Sequence, residues 1–208
     1  NENVVFDFIL NGIRVIVSQS PDISEFNPRH NDNTCIMMFC HRRYNLGDKA
    51  DGKYLSGSAD DIAYIHKIRR RIARYGWFSR NVYMYDHSGL TISLTPFSCT
   101  WDSGRIGIIY AKPASIRERF GRKVEVTAAM MDKVFEDEVK TYDAYLQDEV
   151  YEYCLYAVDD TELDDVLESG CGYLGELNTE ADAIKLMDLE SATTSTMKHL
   201  QEARSKSV

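Results

Sequence analysis

Asn11-Gly12, set between Val4-Val5-Phe6-Asp7-Phe8-Ile9-Leu10 and Ile13-Arg14-Val15-Ile16-Val17, constrains this chain more than any other stretch. A two-residue link whose residues both accept positive φ matches the twist of two antiparallel strands, and the β-branched runs on either side supply those strands. The chain therefore opens on a hairpin. A second hairpin is predicted from residues 81–85 and 91–95, joined by Asp86-His87-Ser88-Gly89-Leu90. Hairpins pair strands without the helical crossovers that a parallel sheet needs, so the sheet is expected to be antiparallel.

The remaining elements follow in order. Cys35-Ile36-Met37-Met38-Phe39-Cys40 reads as a buried strand, and His41-Arg42-Arg43-Tyr44-Asn45-Leu46-Gly47-Asp48 leaves its end, where side chains can reach a neighbouring surface. Ser58 caps a predicted helix that ends at Arg74-Tyr75-Gly76, with Asp60 and Asp61 in its first turn and Ile62, Ile65, Ile68 and Ile72 on one face. Lys67, Arg69, Arg70, Arg71 and Arg74 form a basic stripe on the other. Ile106-Gly107-Ile108-Ile109-Tyr110 is strand-like, Pro113 starts a short helix, and Thr127 opens a longer one to about Leu146. Residues 150–158 are a predicted strand, with 163–167 as its antiparallel partner. Gly170-Cys171-Gly172-Tyr173-Leu174-Gly175 is expected to be irregular. A last helix runs over 179–203, with its continuity in doubt at the Ser/Thr-rich stretch 191–196. The expected fold class is α+β, a largely antiparallel sheet built from hairpins with helices packed on one face. Residues 1–178 form the expected domain and 179–208 a helical arm.

Absent patterns exclude several functions. No run approaches the roughly 18 apolar residues of a membrane span, so no membrane partner is expected and a soluble, intracellular protein is. The five cysteines (Cys35, Cys40, Cys99, Cys154, Cys171) are odd in number and contain no C-x-x-C pair, which suits reduced thiols rather than disulfides or zinc. Phosphate-binding glycine loops, dinucleotide fingerprints and H-E-x-x-H are all missing, so no cofactor and no metal is expected. No oligomeric state is implied.

Residues 85–104 concentrate the chemistry. One polar cluster, Asp86-His87-Ser88, sits at the tip of the second hairpin, and another, Ser98-Cys99-Thr100-Trp101-Asp102-Ser103, follows its second strand. His87, Cys99 and Asp102 are the candidate catalytic set, a base, a nucleophile and an orienting carboxylate. Arg42, Arg43, Asp86, Ser88 and Trp101 are candidate binding residues. The structural alternative has Asp86 and Ser88 closing the hairpin, with His87 exposed and Cys99 and Trp101 buried as the anchor of a turn. An extended 91–96 strand would hold the clusters about 20 Å apart, at about 3.4 Å per residue. They make one site only if the later loop folds back towards the tip or towards His41-Arg42-Arg43.

Charge is unevenly placed. Residues 1–124 carry 18 Lys and Arg against 12 Asp and Glu, whereas residues 125–182 carry 2 against 18. Most such runs are solvated faces; the sharper reading is a negative patch, including Asp132, Glu136 and Asp137, that fits a basic macromolecule.

Four motifs occur in order: Phe26-Asn27-Pro28-Arg29; His41-Arg42-Arg43-Tyr44-Asn45-Leu46-Gly47-Asp48; Tyr85-Asp86-His87-Ser88-Gly89-x-Thr91-x-Ser93; and Pro96-Phe97-Ser98-Cys99-x-Trp101-Asp102-Ser103-Gly104 followed by Ile109-Tyr110. Together they resemble a family of phage-encoded proteins of about 200 residues without an assigned function. The chain departs from the family pattern at Thr100, where proline is usual, and at Gly170-Cys171-Gly172, where Cys-Trp-Gly is usual. The resemblance implies a phage protein acting in the host cytoplasm and brings no reaction with it. The function expected first is therefore that of a phage accessory protein. It would bind a host macromolecule, such as a protein of a defence or nucleic-acid-processing system, through its acidic surface. The alternatives are a small hydrolase or transferase built on His87, Cys99 and Asp102, and a nucleic-acid-binding protein using the basic 67–74 helix.

Overall fold

The predicted first hairpin forms, with Asn11 and Gly12 at φ 51° and 77°, the left-handed pair that this turn requires. The structure, a computed structural model, describes residues 3–31 and 33–206. In chain order its elements are β1 (Val4–Leu10), β2 (Ile13–Gln19), β3 (Ile36–Phe39), α1 (Ala59–Tyr75), β4 (Phe78–Asp86), β5 (Leu90–Ser93) and β6 (Ser103–Ala111), then α2 (Pro113–Phe120), α3 (Ala128–Leu146), β7 (Val150–Ala157), β8 (Glu168–Leu174), α4 (Glu180–Leu186) and α5 (Leu189–Lys206). The fold is α+β with antiparallel strand pairing, and the strands make two four-stranded sheets. The described residues fall into two compact units, one from those up to Phe26 and from Asp148 onward, the other from Asn27–Gln147.

In the first unit the sheet order is β1-β2-β7-β8. Alternate residues Ile13, Val15 and Val17 of β2 and Tyr151, Tyr153 and Leu155 of β7 share a core with Ala183, Met187 and Leu189. Residues expected as a helical arm thus form α4 and α5 and supply part of this core. The helix break comes at Asp188, at φ 50°, ahead of the Ser/Thr-rich stretch. That stretch stays helical because its buried hydroxyls are satisfied: Thr193 donates to the Leu189 carbonyl at 2.7 Å and Thr196 to Glu168 at 2.6 Å.

The partner of β7 is 168–174, not the expected 163–167. Asp160 accepts the amides of Leu163 and Asp165 and closes that stretch into a loop. The glycine-rich segment is a strand because its glycines make room for rings: a Cβ on Gly170 would lie 2.7 Å from the Tyr153 ring, and one on Gly172 equally close to Phe26. Gly172, at φ 80°, is the extra residue where the register shifts opposite Tyr151 and Glu152.

In the second unit the order is β3-β6-β4-β5. Ser58 and Asp61 close a reciprocal cap at the start of α1, and Gly76 ends it in the left-handed conformation. Ile68 and Ile72 of α1 pack on Met38, Ile108 and Tyr110. Ile116 of α2 and Met131, Phe135, Val139 and Tyr142 of α3 pack on Met37, Phe39, Val82, Met84, Ile92 and Ile109. Helices therefore cover both faces of this sheet where one face was expected. The reason lies in β6, whose run Ile106 to Ala111 is buried throughout and needs apolar cover on each side.

A short turn, Pro28–His30, is latched to this core by Arg29, whose side chain is 2% exposed. Its guanidinium grips Asp48 through Nε at 3.1 Å and Nη2 at 2.7 Å, and reaches Glu138 at 2.9 Å and the Cys35 carbonyl at 2.8 Å. Glu138 in turn accepts the amides of Thr34 and Cys35.

Candidate nucleic-acid interface

Topology brings the two polar clusters of residues 85–104 together. Strands β5 and β6 both run antiparallel to β4, one on each side of it, so both must start at the end where β4 stops. The loop after β5 has to return to the hairpin tip before β6 can begin. Ser103 consequently pairs with Tyr85, the Asp86 amide donates to the Asp102 carbonyl at 2.8 Å, and His87 Nδ1 lies 3.5 Å from Asp102 Oδ2. The strand-length separation expected from an isolated hairpin is overturned.

The segment after β3 reaches the same corner. Arg43 Nη2 donates to Asp86 Oδ2 at 2.8 Å, and the Tyr44 hydroxyl lies 3.2 Å from both carboxylate oxygens of Asp86. His41 stacks on Tyr44, with ring centroids 5.0 Å apart, and Tyr85 stacks on both His87 and Phe97. Asp86 thus ties the hairpin tip to 41–44 rather than closing its own turn. Ser88, at φ 61°, is exposed, and its hydroxyl makes no hydrogen bond among the described residues.

The proposed catalytic set is only half assembled. His87 and Asp102 meet, but Cys99 takes part through its carbonyl, which accepts the Ser103 hydroxyl, and its thiol has no hydrogen-bond or ionic partner among the described residues. Trp101, a candidate binding residue that the structural alternative would have buried as an anchor, is 94% exposed. The turn that carries it is held by polar backbone bonds, so the indole is not needed for packing.

The acids expected to form a binding face on α3 are partly used internally. Asp132 pairs with Arg80 at 2.8 Å, Glu138 with Arg29, and Asp143 accepts the Ile92 amide at 2.6 Å. Glu136 and Asp137 remain exposed. Burial raises the Asp143 pKa, opposed by that amide and by Gln147.

On the α1 side of the sheet lies a cavity of about 630 Å³, bounded by 40–43, α1 and β6. His41, Arg42, Arg43, His66, Arg69 and Arg105 line it over Ile62, Ile65 and Ile106, and no Asp or Glu does among the described residues. Of the four arginines only Arg43 pairs with a carboxylate among the described residues. Arg69 donates to the neutral Asn81 side chain at 2.9 Å, and burial, together with the charge of Arg105, lowers its pKa. His41 is held below the ordinary histidine value by burial and by Arg43, with Asp86 pulling the other way. Its Nδ1 accepts the Arg43 amide at 3.3 Å, which requires that nitrogen to be unprotonated. Further along the same face Arg69 and Arg70 of α1 are followed by Arg80 of β4, which is paired with Asp132.

The basic 67–74 stripe was legible as a helix face, but His41, His66 and Arg105 were not legible as its neighbours. The three-residue step from His66 to Arg69 was the available signal for the helical pair; nothing local marks Arg105. Counted by unit, Asn27–Gln147 carries 19 Lys and Arg against 14 Asp and Glu, and the rest of the chain 5 against 19. A protein of net charge −9 therefore holds a unit of net charge +5, and four of that unit's arginines line one groove.

Among the described residues no group of His, Cys, Asp and Glu could hold a metal ion, and no helix is long and apolar enough to cross a membrane. Fold and site together define an α+β protein with a basic, carboxylate-free groove. No protein-family model, curated protein or solved structure matches the chain.

Proposed function

We propose that the Asn27–Gln147 unit binds nucleic acid, seating backbone phosphates in the groove between α1, the 41–43 segment and β6. The observation that carries this is the pairing of Arg69 and Arg105 without a carboxylate in a half-enclosed cavity. Like charges gathered this way repel, and an anion relieves them. Arginine also grips phosphate with two donors at once. The resemblance to phage-encoded proteins sets this activity in an infected cell. The test is fluorescence anisotropy with a labelled oligonucleotide over a salt series. Log affinity should fall linearly with log salt, and an Arg69→Glu/Arg105→Glu double variant should lose binding. Salt-insensitive binding, or none, counts against the groove.

A second reading concerns the other unit, whose net charge of −14 suits a basic host protein, including a component of a defence system. Four of its exposed acids, Asp159, Glu162, Asp164 and Asp165, cluster in the 159–165 loop. Replacing Asp159, Glu162, Asp164 and Asp165 by Asn or Gln should then weaken the protein's effect on phage growth in the host. An unchanged effect would remove this reading. The hydrolase or transferase reading lacks support, since the Cys99 thiol meets neither His87 nor Asp102.

A further inference from the structure

We infer that the nucleic acid this groove takes is single-stranded, and that Trp101 is the platform on which one of its bases stacks. The inference rests on the groove reading and adds the strandedness of the ligand. Among the described residues Trp101 is the most exposed of the large apolar side chains, at 94%. A flat indole left in water gains most when another flat ring covers it, and every nucleobase offers one.

The turn that carries the indole is also held in place. Across it the Cys99 carbonyl accepts the Ser103 hydroxyl, and next to Trp101 the Asp102 carbonyl accepts the Asp86 amide while its carboxylate lies 3.5 Å from His87 Nδ1. Base stacking on such a platform is not offset by the cost of ordering a loop.

Its placement suits a ligand whose phosphates lie in the groove. Arg105 stands four positions after Trp101 in the chain, a reach of at most about 14 Å. Arg43 bridges the two places: it lines the groove and bonds Asp86, whose amide bonds Asp102 beside Trp101. Paired bases in a duplex are stacked on one another and present edges, so a single protruding indole cannot cover their faces; an unpaired base can.

The test uses the whole chain with labelled single-stranded DNA, single-stranded RNA of the same sequence, and the corresponding DNA and RNA duplexes, at one low salt concentration. The single strands should bind at least about tenfold tighter than either duplex. Trp101→Ala should weaken the single strands by about tenfold, the order of one lost base–aromatic stack, and leave the duplexes unchanged. In a Trp77→Phe background the remaining indole fluorescence should be quenched by single strand. Equal binding of duplex, or an unaltered affinity of Trp101→Ala for single strand, overturns the inference while leaving the groove intact. If no nucleic acid binds at all, both fall. The DNA and RNA arms separate the two sources of the same unpaired base.

Discussion

His87 Nδ1 lies 3.5 Å from Asp102 Oδ2, although β5 and the loop after it separate them in the chain. Both side chains are open to solvent, 63% and 45% exposed, so the pair adds little stability, below about 1 kcal/mol. It joins the hairpin tip to the turn that carries Trp101, and the role it can have there is positional. Asp102→Ala is expected to change unfolding free energy in urea by less than about 1 kcal/mol. It should nevertheless loosen the indole, read as faster decay of Trp101 fluorescence anisotropy with Trp77 replaced by Phe. An indole as immobile as before would deny the contact that role.

Arg29 makes the opposite prediction. Its buried guanidinium serves two carboxylates and a carbonyl, and its removal leaves Asp48 and Glu138 facing each other without a cation. Arg29→Ala is expected to cost about 3–5 kcal/mol in urea unfolding. Arg29→Lys should recover only part, because one ammonium cannot reproduce the paired grip on Asp48. A loss under about 1 kcal/mol would mean that Pro28–His30 is held by something else.

The pKa of His41 is held below the histidine value of 6.5, chiefly by burial and then by Arg43. A depressed pKa means that the fold favours the neutral ring. Its contribution to stability is therefore complete above about 6.5, the unfolded value, and is lost as pH falls through the lower folded one. A ring-proton NMR titration should place the His41 midpoint below 6.5. Arg43→Ala should move it part of the way up, and a bound oligonucleotide, whose phosphates favour the charged ring, should also raise it. A midpoint that ignores both changes would show that neither Arg43 nor the ligand lies close to His41.

Gly12 tests the turn on which the first sheet depends. Its φ of 77° is costly for any residue with a side chain, and a Cβ there would lie 2.7 Å from the mobile methyl of Met197. Gly12→Ala should destabilise the protein by about 1–2 kcal/mol, nearly all of it backbone cost, since Met197 can swing aside. Gly12→Asn should be milder, because asparagine tolerates that region better. Equal losses for the two would point to the Met197 contact instead.

Elements whose cause is local were legible in the sequence. The Asn11-Gly12 turn needs only its own φ angles, the α1 cap only Ser58, Asp61 and Gly76, and α3 only its apolar spacing and Thr127, and each stands where it was read. Reading failed where a distant partner decides. Gly170 and Gly172 look like a loop until Tyr153 and Phe26 are placed against them, and β8 is a strand because those rings need the space. The acids of α3 look like a free surface until Arg29, Arg80 and the Ile92 amide arrive from elsewhere in the chain.

The candidate site divides the same way. Sequence alone named Arg42, Arg43, Asp86, Ser88 and Trp101 as binding residues and His87, Cys99 and Asp102 as a catalytic set, and it set apart a basic helix face. Only tertiary structure set Arg42 and Arg43 with His66, Arg69 and Arg105 around one groove, joined Asp86 to Arg43 and His87 to Asp102, and left the Cys99 thiol apart. The physical reason is strand order. Once β6 pairs on the far side of β4 from β5, the chain must return to the hairpin tip, and a contact that no local spacing encodes becomes unavoidable.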